Sequence, residues 1–112
     1  MSSGFGSKIG DEFISRVLER IDLGLDHFGR TMKEVVYWNF ESDFKLTKRD
    51  IVNHPEKFVQ SIRDVFGSGS LLIEKTIIQE MTMLPELGKV DPTDLVVALK
   101  QARAHYQRRK ED

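Results

Sequence analysis

Leu46-Thr47-Lys48-Arg49-Asp50-Ile51 is the stretch that decides how this chain folds. Thr47 carries the side-chain oxygen of a helix N-cap. Asp50 stands three residues on, where its carboxylate can reach back to the Thr47 backbone and favour the positive end of the helix dipole. Leu46 and Ile51 take the two apolar positions that set the angle at which the chain enters the helix. The same grammar recurs on both sides. Thr31 stands with Glu34, and Asp91 with Asp94, the last pair stapled by Val90 and Leu95. Such helix starts, with no alternating strand pattern, no hairpin turns and no internal repeat, predict an all-α fold: a compact bundle of five or six short helices.

Working outward, residues 1–9 are rich in Ser and Gly and lack periodicity, so they read as a mobile N-terminal lead to a single helical domain over 10–110. Ile14, Leu18, Ile21, Leu25 and Phe28 then recur at helical spacing and form one stripe. Gly24 interrupts that helix at a cost of about 1 kcal/mol relative to Ala, which close approach of another backbone would explain. The second helix, from about Met32 to Phe44, sets Val36, Phe40 and Phe44 on one face and Val35 and Trp38 nearly opposite. A short third helix follows Thr47. Pro55 then opens a fourth in the first turn, where its missing N–H costs nothing. Phe66-Gly67-Ser68-Gly69-Ser70 reads as a sharp junction before a helix running from Leu71 to about Met83, whose wide apolar surface marks it as central. The last helix has a narrow stripe of Leu95, Leu99, Ala102 and Tyr106. Phe40, Phe58, Ile62, Phe66, Leu72, Ile77 and Ile78 are expected to share one core.

Composition bounds the function. A chain of 112 residues with 39% apolar and 31% charged residues can bury a core and keep a solvated surface. The net charge of −1 argues against a generally basic nucleic-acid coat and directs attention to local patches. The absence of Cys removes thiolate catalysis, disulfides and Cys-based metal centres, and fits a cytoplasmic location. No apolar run resembles a signal peptide or a membrane span, so no membrane association is expected.

Chemistry-bearing constellations are weak. His27, His54 and His105 are isolated, and Asp22, Asp26 and His27, or Asp50 and His54, share a helical face only in the manner of ordinary solvated surfaces. Gly67-Ser68-Gly69-Ser70 could cradle an anion at a helix start, yet no strand precedes it and no P-loop ending follows. No catalytic, cofactor-binding or metal-ligating residue is therefore assigned. The expected role is non-enzymatic: a protein-interaction domain, self-associating as a homodimer. Its candidate interface residues are Leu18 and Leu25 on the first helix, Val35 and Trp38 on the second, and Leu99 and Tyr106 on the last. The alternative is a nucleic-acid-associated protein using Lys100, Arg103 and Lys110 along the basic C-terminal helix.

One resemblance adds to this reading. The stretch from Thr31 to Met81 resembles the fifth type of the archaeal Nitrosopumilus output domain family. The likeness lies in Val36-Tyr37-Trp38 with Phe40-Glu41, Phe44 through Ile51, Pro55-Glu56-Lys57-Phe58, Val65 through Gly69, and Leu72-Ile73-Glu74 with Ile77-Ile78. These are helix-punctuation and core residues. The resemblance implies an archaeal helical domain that acts as an output or interaction module in signal transduction, with no catalytic residue to carry over. The first and last helices lie outside it.

Overall fold

The computed structural model describes the backbone of residues 3–111 and the side chains of residues 10–108. Among these residues are five α-helices and no strand: α1 (Ser3–Asp26), α2 (Arg30–Phe44), α3 (Pro55–Phe66), α4 (Ser70–Thr82) and α5 (Leu95–Glu111). Lys48–Val52, Gly67–Gly69 and Pro85–Leu87 form short 3-10 turns between them. The third helix expected after Thr47 is thus a 3-10 turn. Helical backbone also begins at Ser3, where the Ser and Gly content predicts an irregular lead; extending a formed helix adds a hydrogen bond per residue without a new nucleation cost.

The core is built chiefly around α1 and α4, which form the most extensive helix pair. A β-carbon on Gly24 would stand 2.8 Å from the Cα of Ile77, so the two backbones cross where only glycine fits. This is the close approach that Gly24 predicts. Phe13, Val17, Ile21 and Leu25 on α1 and Ile73, Ile77, Ile78 and Met81 on α4 are all buried in one cluster. α3 joins it through Phe58, Val59 and Ile62, and packs against α2, α4 and α5. Phe58 meets Phe40 edge to face, with ring centroids 6.0 Å apart. Buried aromatic pairs in this geometry add about 0.5–1.5 kcal/mol beyond the area they remove from water.

Two members of the expected core behave differently. Leu72 is 63% exposed, because α4 turns Ile73, Ile77 and Met81 inward and leaves Leu71 and Leu72 on its outer side. Phe66 is only partly buried and packs edge to face on Phe28, at 6.2 Å.

The helix starts also differ in part from their sequence signatures. Asp50 does accept the Thr47 backbone N–H at 2.8 Å and its hydroxyl at 3.1 Å. These bonds hold the Asp50 carboxyl below the usual carboxylate range. Thr31 does not cap α2. Gly29, at φ 102, starts the helix two residues earlier, so Thr31 lies inside the first turn. Near the C-terminus, Asp91 accepts the N–H groups of Thr93 at 2.7 Å and Asp94 at 3.0 Å, closing a turn ahead of the helix. Asp94 is the cap: its carboxylate accepts from the Val97 N–H at 3.1 Å and its carbonyl from the Ala98 N–H at 2.8 Å.

A candidate protein-interaction face on α2

α2 has two apolar sides, and the fold uses one. Val36 and Phe40 are fully buried, whereas Val35 is 40% and Trp38 68% exposed. Val35 and Trp38 are three residues apart and therefore adjacent on the outer surface of the helix. Exposed Glu34 and Glu41 stand four residues before Trp38 and three after it on that surface. Lys45 ends the helix in the left-handed conformation, with φ 56. Glu41 turns toward the following segment, accepting the Lys48 N–H at 3.1 Å.

The α2 platform is fixed from its side by a polar cluster that the sequence reading missed. Tyr37 donates its hydroxyl to the Asp22 carboxylate on α1, and Lys48 Nζ stands 3.0 Å from the same carboxylate and 4.5 Å from the centroid of the Tyr37 ring. Burial first, and the bond to Asp22 second, push the Tyr37 phenol above the usual tyrosine range. Lys33 adds a 2.8 Å ion pair to Asp26, which raises the lysine. No local motif marks this cluster, because its members come from α1, α2 and the 48–52 turn.

The other candidate interface residues are placed elsewhere. Leu25 is 0% exposed, Leu99 1% and Tyr106 4%. These three are a correction: Leu25, Leu99 and Tyr106 close against the domain's own core instead of forming a protein-interaction surface. Tyr106 packs on Phe13 with ring centroids 5.1 Å apart, and its hydroxyl donates to Glu12. Burial, with the Glu12 bond adding to it, pushes that phenol up to about 12. Leu18 is half-buried against the same core.

Two of the three basic residues proposed for nucleic-acid contact have partners within the fold. Lys100 pairs with Glu56 at 2.6 Å, which holds the Glu56 carboxyl low, and Arg103 donates to Asn53 Oδ1. The Lys110 side chain lies outside the described residues. His27 is beside Glu80 at 3.1 Å, and buried Glu74 meets Arg63 at 3.5 Å across α3 and α4. Both are explained as pairs that tie helices together. Among the described residues no three His, Asp or Glu side chains gather at metal-binding distances, and no helix is long and apolar enough to cross a membrane. Comparison of the chain with family models, curated proteins and solved structures finds no match.

Proposed function

We propose that this chain is a non-enzymatic helical interaction domain that self-associates through the outer face of α2. The observation that carries the reading is the pairing of Trp38, 68% exposed, with Val35 on a helix whose opposite face is already buried. Tryptophan is the side chain most enriched among energetic anchors of protein interfaces, and an apolar ridge bordered by charges is a common interface pattern. A two-fold axis would set the ridge against itself, the commonest arrangement of soluble oligomers. The exposed leucines of α4 make a poorer alternative. Leu71 and Leu72 stand in the first turn of that helix and exposed Met83 just past its other end, with exposed Lys75 and Gln79 between them. The resemblance over Thr31 to Met81 supports a signalling-output role for such a dimer, in an archaeal cytoplasm.

Trp38 is the sole tryptophan, so its fluorescence reports on this surface directly. Light scattering over a concentration series is expected to show a monomer–dimer equilibrium, accompanied by a blue shift of the Trp38 emission. Trp38→Gln should give a monomer of unchanged helicity. A wild type that stays monomeric at millimolar concentration, or a Trp38→Gln protein that still dimerises, rejects the reading.

A further inference from the structure

A recess of about 350 Å³ opens between α1, the 48–52 turn and α5. Its walls are apolar: Phe13, Val52 and Tyr106 are each at most 5% exposed, and Ile14 beside them is half-buried. Its polar lining comes from Asn53, Arg103 and Gln107, all of them exposed. Pockets for small molecules combine these two elements, apolar walls and a few placed polar groups, over a range of roughly 300–1,000 Å³. This recess is at the lower end, the size for one ring or a short chain.

Arg103 gives the recess its chemistry. Three other cations of α1, α5 and the 48–52 turn face carboxylates: Lys100 meets Glu56, Arg49 meets Asp11, and Arg16 meets Glu86. Arg103 instead donates to the neutral amide of Asn53. A guanidinium carries five N–H donors in a planar fork, so one bond to an amide oxygen leaves donors for a carboxylate, the acceptor whose geometry the fork matches best. Gly10 contributes space. It lines the recess, and a β-carbon built there would meet nothing within 4 Å.

We propose that the recess binds a small amphiphilic carboxylate, its apolar body between Phe13, Ile14, Val52 and Tyr106 and its carboxylate on Arg103. The site is independent of the α2 face, and its test does not depend on the oligomeric state.

The full chain is titrated with hydrocinnamate and, separately, with hydrocinnamyl alcohol, the neutral analogue, while backbone amide chemical shifts are followed. Saturable shifts are expected at Gly10, Asn53 and Gln107, with the alcohol binding about tenfold more weakly because it forgoes the charge-assisted bond. Arg103→Gln, at an exposed position, should reduce the acid's affinity to that of the alcohol and leave the alcohol unchanged. Gly10→Phe should fill the recess and abolish both titrations without lowering the melting temperature. Absence of saturable shifts at these amides, equal affinity for acid and alcohol, or an Arg103→Gln protein that binds the acid as the wild type does would overturn the assignment.

Discussion

The crossing of α1 with α4 and the outer face of α2 are both apolar surfaces on amphipathic helices, and they have opposite fates. At the crossing, Gly24 admits the Ile77 backbone, and Leu25 and Ile77 are completely buried. On α2, Val36 and Phe40 fill the inner side and leave Trp38 two-thirds exposed. Helical periodicity alone does not separate these cases. What separates them is surplus: the apolar stripe of α1 is covered by α4 together with α2 and α5, whereas α2 has apolar residues beyond what its inner side can bury.

The sharpest way to break this contrast is truncation on the two sides of α2. Phe40→Ala should cost about 3–5 kcal/mol of unfolding free energy, the usual effect of emptying a buried aromatic site. Trp38→Ala, measured at concentrations where the chain is monomeric, should change stability by no more than about 0.5 kcal/mol. Comparable losses in denaturant unfolding would place Trp38 in the core and remove the distinction.

Gly24→Ala probes the crossing itself. Helix propensity alone would favour the alanine by about 1 kcal/mol. Steric overlap with the Ile77 backbone should reverse that sign, since forced overpacking costs about 1–3 kcal/mol. A melting temperature above that of the wild type would show that the helices do not meet at this point.

The smallest effect concerns neither apolar surface but the helix starts that frame them. The Asp50 and Asp91 carboxyls are held below their ordinary range by bonds from Thr47 and Thr93. A carboxyl whose folded-state pKa is lowered stabilises the fold above its unfolded value, near pH 4, and that contribution is lost as pH falls through the folded value. The melting temperature should therefore fall as pH is lowered from 5 to about 2, and Asp91→Asn should flatten part of the slope. An unchanged slope in the variant would separate the Asp91 turn from the acid response.

Local chemistry was the legible part of the sequence. The Thr47–Asp50 pair works because its partners are three residues apart, and Gly24 announced a crossing because a mid-helix glycine is costly without one. Where legibility failed, a neighbouring residue or a distant surface decided. Gly29 starts α2 ahead of Thr31, and Asp94 takes the cap that the spacing assigns to Asp91. Leu72 reads as core yet lies outside it, because a run of apolar residues does not reveal which side of α4 faces inward. Leu25, Leu99 and Tyr106 showed an apolar stripe but not what would cover it. The recess was wholly hidden, since Arg103 and Asn53 are 50 residues apart and meet only in the folded chain. Trp38 and Val35 were legible as surplus because their opposition to Val36 and Phe40 is a property of one helix.

The partnership of α1 with α4 also sets a timetable for synthesis. His27 and Glu80, which face each other where these helices meet, are 53 residues apart in the chain. A ribosome adding about 5–20 residues per second leaves α1 waiting roughly 3–10 s for the segment that covers it. During that interval Val17, Ile21 and Leu25 have no α4 to shelter them, and stalling before Ile77 would leave a nascent chain with an open apolar stripe. α4, emerging late, is the element that closes this stripe.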